Sequence, residues 1–333
     1  MNQVTGTWTK SLLTGLCAAA LATAAWAAPG SGAEGSFDRT LKVSGPVSLD
    51  VRTGSGNIRV HQGDSSNVVI HAEIRSGRGG WGGDSDAESR IREIEKNPPI
   101  EQDGSTIHVG RTHDSELYRN ISISYEIRTP AQSQLEAQTG SGDLTATGIL
   151  LEVTGHTGSG NIRVEDTGGR VDLTAGSGDV QLQNARGGAR LSTGSGNVTV
   201  ENVSGGVNAS SGSGTVRLEM NGAGDVEAST GSGNIVLRGA NGAVRAHTGS
   251  GDVEAHGEQR GEWHLRTGSG NLRVELPPGV GFELDAHSGS GTIQTEREIA
   301  VQGTLSRRDI HGKAGGGGPL LELRTSSGNI YLR

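Results

Sequence analysis

Apolar and polar residues alternate along most of this chain, and the alternation restarts every nine residues. Leu135, Leu144, Val153, Ile162, Val171, Val180, Ala189, Val198, Val207 and Val216 stand nine apart. A parallel series runs two residues further on: Ala137, Ala146, Gly155, Val164, Leu173, Leu182, Leu191, Val200, Ala209 and Leu218. Apolar positions at i and i+2 are the strand period, so each nine predicts one short strand and one turn. Pairs of nines share a motif, Thr/Ser-Gly-Ser-Gly-Asn/Asp/Thr-apolar-x-apolar. Its second glycine falls at Gly142, Gly160, Gly178, Gly196, Gly214, Gly233, Gly251, Gly270 and Gly291, in steps of 18, 18, 18, 18, 19, 18, 19 and 21. Outlying copies sit at Gly56 and Gly328. One turn of each 18 is always Gly-Ser-Gly. The other is looser, such as Thr167-Gly168-Gly169 or Arg186-Gly187-Gly188. Glycine suits both, because tight turns need positive φ.

A flat meander would give the same nine-residue steps but would leave one apolar face bare, and the repeats contain no helix to cover it. Coiling the chain makes the two rows of strands face each other and bury Val, Ile and Leu between them. The expected fold is therefore all-β: a single-chain β-solenoid, or β-helix, with two strands per 18-residue coil. About nine coils at ~4.8 Å each give a rod roughly 40 Å long. Parallel crossovers favour a right-handed coil. A left-handed hexapeptide helix would need apolar residues every six, which the chain lacks.

The ends are less regular. Residues 37–74 read as strands, 77–83 as a glycine-rich loop, and 86–97 as a short helix opened by a Ser85/Glu88 capping box, with Ile91 and Ile94 on one face and Pro98 as the stop. Strands return at 106–109 and 121–127. The expected organisation is a leader over 1–27, a linker over 28–36 and an irregular N-terminal part over 37–134. Regular repeats follow over 135–295, and a C-terminal cap with a last coil over 296–333. Terminal units of repeat arrays are commonly atypical caps.

Several segments carry a family likeness: Thr53-Gly54-Ser55-Gly56-Asn57-Ile58, the block Ile123-Ser124-Tyr125-Glu126-Ile127-Arg128-Thr129-Pro130, the Gly-Ser-Gly repeats, and Leu323-Arg324-Thr325-Ser326-Ser327-Gly328-Asn329-Ile330. Through them the chain resembles the bacterial "putative adhesin" family, a β-strand-repeat domain family of unknown function. The resemblance implies an exported β-solenoid with an adhesin-like role, and it brings no catalytic residues with it.

Composition sharpens this picture. The chain has 57 glycines among 333 residues and only 3% aromatics, which in a chain without period would suggest disorder. Its formal net charge is −8, which disfavours nucleic acid and anionic lipid as partners. Lys10, a Leu/Ala-rich stretch and Ala25-Trp26-Ala27 make a secretory signal peptide, with cleavage expected near Ala27/Ala28. The stretch is too short and Ala-rich to span a bilayer well. Leu16 before Cys17 is not the small residue that lipidation wants. Cleavage removes Cys17, the only cysteine, so thiol chemistry drops out. No stable membrane insertion is expected afterwards, and either the periplasm or the cell exterior fits.

Candidate chemistry is sparse. The residue after Gly-Ser-Gly forms a column, Asp143, Asn161, Asp179, Asn197, Thr215, Asn234, Asp252, Asn271 and Thr292. It reads as a structural Asx ladder, with cation binding at Asp143, Asp179 and Asp252 as the rival reading. Calcium β-rolls also pair nine-residue units, but their register differs, because here the Asp or Asn follows the glycine directly. Asp84, Asp86, Glu88 and Glu95 have an EF-hand-like spacing that a helix start explains as well. His156, His247 and His287 precede Gly-Ser-Gly turns but are separated by other coils, which does not suit a metal site. The serines Ser141, Ser159, Ser177, Ser195 and Ser213 read as turn hydrogen bonders without a His and Asp at each level. The outward column Arg163, Gln181, Thr199, Arg217, Val236, Glu254, Arg273, Gln294 is mixed. It has neither the threonine grid of an ice-binding solenoid nor the paired carboxylates of a glycosidase groove. Trp81, in the glycine loop, is the candidate binding-surface anchor, and Trp263 falls in the inward series.

These readings predict no catalytic residues, no cofactor and no metal. They point to an exported, non-catalytic envelope or secreted protein with an adhesin-like binding or structural role, its partner a protein or a glycan. An accessory or docking module in envelope signalling and a calcium-binding β-roll-like adhesion module stand as the alternatives.

Overall fold

Strands with one apolar face need a second apolar face opposite them, and here each coil supplies one strand to each of two facing sheets. The structure is a computed structural model that describes residues 32–77, 84–111, 116–301 and 306–333. The leader, Cys17, the start of the linker and Trp81 lie outside these residues. One sheet has 14 strands and the other 15, and both run parallel through their middles. The chain passes from Val153–Ser159 in one sheet, round Gly-Ser-Gly, to Ile162–Thr167 in the other, then to Val171–Ser177 back in the first. Pairing is in register at the 18-residue step, Val153 beside Val171 and Ile162 beside Val180. The inward series are buried throughout, from Leu49 and Ile58 to Leu323 and Ile330. Trp263 is fully buried among them, and its indole Nε1–H donates to Gly242 O at 3.0 Å. The β-solenoid expected from the period is the fold.

The two 19-residue steps keep the Gly-Ser-Gly turn unchanged and place the extra residue in the looser turn. The pairing shifts register there, at Val203/Met220 and at Ala240/Gly257.

Both ends depart from chain order. The segment 320–332 does not extend the stack as a last coil. Leu320–Ser327 pairs with Trp263–Ser269 on one side and with Phe282–Ser288 on the other. Ile330–Leu332 likewise lies between Leu272–Glu275 and Ile293–Thr295. The chain thus climbs past one empty level after Glu275, and its end returns to fill that level. The stack has the same device at its start, where Val47–Ser55 and Ile58–Gln62 lie between the later strands Thr106–Val109 and Ile121–Thr129 and the coil beginning at Ser133. The glycines Gly56 and Gly328 are therefore full members of one column. It runs Gly56, Gly142, Gly160, Gly178, Gly196, Gly214, Gly233, Gly251, Gly270, Gly328, Gly291. Ten steps of ~4.8 Å make this column roughly 48 Å long.

Antiparallel strands close the ends: Asn67–Ser76 and Glu34–Lys42 on one sheet, Ile100–Asp103 on the other, and Asp309–Ala314 with Ala300–Val301 at the far end. The helix forms at Asp84–Lys96, with Ile91 and Ile94 buried as its apolar spacing requires. It protects an open edge, because the Ser36 N–H donates to Glu95 Oε1 at 2.8 Å. Gly35 allows this docking, since a Cβ there would stand 2.4 Å from Ile91 Cγ2.

Candidate functional site

The turns are built first by backbone and side chain together. Every column glycine from Gly56 to Gly328 has φ between 128° and 152°, a region closed to other L-residues. A Cβ at Gly196 would meet Gly178 O at 2.2 Å, so stacking forbids a side chain as firmly as φ does. The hydroxyls that satisfy these carbonyls come from the Thr/Ser before the first glycine, not from the turn serine. Thr157 donates to Gly142 O at 3.0 Å, Thr193 to Gly178 O at 2.8 Å and Ser211 to Gly196 O at 2.8 Å. Ala175 breaks the column. Ser141, Ser159, Ser177, Ser195 and Ser213 are exposed.

In the Asx column the Asp and Asn side-chain oxygens accept backbone N–H groups from the next coil. Asn161 N donates to Asp143 Oδ1 at 2.9 Å, Asn197 N to Asp179 Oδ1 at 2.8 Å and Asn271 N to Asp252 Oδ1 at 2.7 Å. The amide of Asn197 adds a longer contact to the same Asp179 oxygen at 3.3 Å. At least one Asn or Thr level separates any two aspartates, so neighbouring carboxylates stand two or more coils apart, roughly 10 Å, too far to share one ion. Among the described residues no group of three His, Cys, Asp or Glu side chains is placed to hold a metal ion. Asp86 and Glu88 pair with Arg90 and Arg92 along a continuous helix, so the EF-hand-like spacing forms no loop.

The looser turn carries a second ladder that the sequence reading missed. Asp166, Asn184 and Asn202 have φ of 57°, 54° and 54°, and Asn184 Nδ2 donates to Asp166 Oδ1 at 2.9 Å. Asn and Asp tolerate this left-handed conformation, which was the available signal.

The outer faces carry the polar chemistry. Near each end of the 15-stranded sheet one carboxylate is sunk among cations. Asp50, 6% exposed, accepts from Arg52 Nε at 2.9 Å and Arg111 Nη2 at 2.7 Å. Glu322, 7% exposed, meets His264 Nδ1 at 2.6 Å, Arg266 Nη2 at 2.9 Å and Arg324 Nε. Burial alone would raise the Glu322 pKa, but the hydrogen bonds from His264, Arg324 and Arg266 outweigh it and hold it at about 2. Burial opposes, and Arg52 and Arg111 outweigh it, at Asp50, which also lies below the usual carboxylate range. Beside Glu322, Arg324 reaches Asp285 at 2.9 Å, and His311 lies 3.2 Å from both Asp285 and Asp309. His287 is 3.6 Å from Asp309, whereas His156 and His247 stand coils away.

On the 14-stranded sheet the column runs as expected from Arg163 to Arg273, but Tyr331 enters between Arg273 and Gln294. Arg273 lies over its ring, 5.4 Å from the centroid. Of the described residues, no helix is long and apolar enough to cross a membrane.

A stacked array of glycine-turned coils with closed ends is a domain of the β-repeat class. The model of the Toastrack DUF4097 family matches residues 47–259 and 187–333, most of the chain, and the protein belongs to that family. This agrees with the likeness read from the Gly-Ser-Gly segments. No curated protein matches. Two crystal structures match the chain at low similarity. One is a "putative cell adhesion protein" from Clostridium sporogenes ATCC 15579, 11% identical, covering 90% of this chain and 99% of that one, TM-score 0.21. The other is a "putative adhesin" from Bacteroides fragilis NCTC 9343, 14% identical, covering 90% and 97%, TM-score 0.28.

Proposed function

We propose that this protein is an exported, non-catalytic binding rod with an adhesin-like role, acting in the periplasm or at the cell surface on a protein or glycan partner. The observation that carries the reading is where the structure spends its polar groups. The turn ladders are consumed by backbone hydrogen bonds, as at Asp143 and Asp179, and the sunken carboxylates by arginines, as at Asp50 and Glu322. What is left for a partner is the pair of long, rigid outer faces, a surface suited to binding without chemistry. The Asp143, Asp179 and Asp252 column is structural in this reading. Export rests on the leader over 1–27, which is typical of secreted chains.

The test has two parts. Fractionation of the producing cell, with N-terminal sequencing, should find a mature chain beginning near Ala28 outside the cytoplasm. The purified mature chain should then bind immobilised cell-envelope material or intact cell surfaces in saturable fashion. A cytoplasmic chain that keeps residues 1–27, or one that binds no surface, overturns the reading.

A further inference from the structure

Between the two charge clusters the outer face of the 15-stranded sheet is hollowed by short side chains. Gly188 and Gly206 stack directly above Arg170 in the column that precedes the strands, followed by Asp225 and Ala243. In the outward column three residues past each strand start, Thr174, Ser192, Ser210 and Ser229 are neighbours in register. The result is a continuous trough of two cavities, of about 470 and 600 Å³, that share Glu227 and Arg245.

Its rim is basic. Arg170, Arg190, Arg245 and His247 are exposed, and among the described residues none of them has an ion-pair partner. Arg190 and Arg245 belong to one column, Arg190, Asn208, Glu227, Arg245, so three coil steps put them roughly 14 Å apart. The two acids that line the trough are engaged: Glu227 Oε2 accepts from Asn208 at 2.7 Å, and Asp225 Oδ1 accepts from Ala243 N at 2.9 Å. Arg170, Arg190 and Arg245 face two carboxylates here, Asp225 and Glu227, while Arg266 at the far end is held by Glu322, in a chain whose net charge is −8. Unpaired guanidinium groups set apart along the stack match a linear anion that carries carboxylates along its length, since arginine binds carboxylate in a planar fork.

Resting on the binding role above, we infer that this trough holds an extended carboxylate-bearing polysaccharide laid along the stack. Arg190 and Arg245 take its carboxylates, Arg170 closes one end, and Ser229 and Asn208 meet its hydroxyls. The floor of glycine, alanine and serine lets a sugar ring come close. No Phe, Tyr or Trp lines the trough, so the broad stacking platforms that single-stranded nucleic acid needs are missing.

The test titrates the mature full-length chain with polygalacturonate, with neutral dextran and with polythymidylate, at low and moderate salt. Polygalacturonate should bind, weakening as salt rises, and dextran should not. Arg190→Gln/Arg245→Gln should weaken polygalacturonate binding by at least about tenfold with an unchanged melting temperature. Equal binding by the double variant, equal binding of dextran, or tighter binding of polythymidylate overturns the inference. If polygalacturonate fails while the wild-type chain still binds cell surfaces, the trough assignment falls and the binding role stands. If both fail, both fall.

Discussion

The first glycine of the motif offers a matched pair of sites that differ in one physical variable. Gly54 and Gly158 occupy the same motif position. A Cβ on Gly54 would meet nothing within 4 Å, because the strand beneath it ends at Val109. A Cβ on Gly158 would stand 2.5 Å from Gly140 O in the coil below. Neither has the positive φ that would add backbone strain. Ordinary contact begins near 3.4 Å, so Gly158→Ala must shift the coil or its neighbour by close to 1 Å, against parallel hydrogen bonds on both sides. Overpacking of this kind costs roughly 1–3 kcal/mol. At about 2 °C per kcal/mol for a domain of this size, the melting temperature should fall by about 2–6 °C. Gly54→Ala should leave it within about 1 °C, or raise it slightly by restricting the unfolded chain. Gly160→Ala, which adds φ of 145° to a 2.1 Å contact with Gly142 O, should cost more than Gly158→Ala. Melts followed by far-UV circular dichroism on the chain without residues 1–27 read all three. Equal losses at Gly54 and Gly158 would refute the argument that stacking, not local backbone conformation, demands these glycines.

Three further outcomes follow from the turns and the charge clusters. Ala175→Thr should stabilise by about 0.5–1.5 kcal/mol, because it gives Gly160 O the hydroxyl that Thr157 and Thr193 give their own carbonyls; chemical denaturation reads the gain. The folded pKa of Glu322 lies below its unfolded value, so its contribution is present above pH 4.5 and is lost as pH falls towards about 2. Glu322→Gln should flatten the melting temperature across that window, and a variant that tracks the wild-type slope counts against the cluster. The triple change Asp143→Asn, Asp179→Asn, Asp252→Asn keeps every Oδ1 acceptor, so its melting temperature should stay within about 2 °C of wild type. It should also be the same with calcium as with chelator, and a chelator-induced loss of wild-type structure would make the column a cation site.

The middle of the fold was legible because each coil repeats the one before it, so the inward series from Leu135 to Val216 needed only the strand period. The ends were not, because any coil with the motif can stack on any other. Residues 263–275 and 320–332 carry the same Thr-x-Ser-Gly-Asn turn, and nothing local says that one lies on the other. The one trace was the 21-residue step from Gly270 to Gly291, long enough to climb two levels. The Thr of the motif was visible, yet its hydroxyl role went to the neighbouring serine, since only the stacked geometry points Thr193 at Gly178 O. The Asp50 and Glu322 clusters join residues such as Arg111 and Arg266 that lie some sixty positions away in chain order. The trough, likewise, needs the register that sets Gly188 beside Gly206. Trp81, the anchor expected from sequence, lies outside the described residues.

The order of the stack is tested most directly by disulfide trapping in a chain whose single native cysteine, Cys17, is replaced by serine. In the column Arg266, Arg324, His287, neighbouring strands place Cα atoms within bridging range and second neighbours beyond it. The pairs Arg266→Cys/Arg324→Cys and Arg324→Cys/His287→Cys should oxidise readily under mild conditions, and Arg266→Cys/His287→Cys should stay reduced. Ready oxidation of the last pair, with Arg266→Cys/Arg324→Cys left open, would show the coils stacked in chain order and contradict the intercalated end.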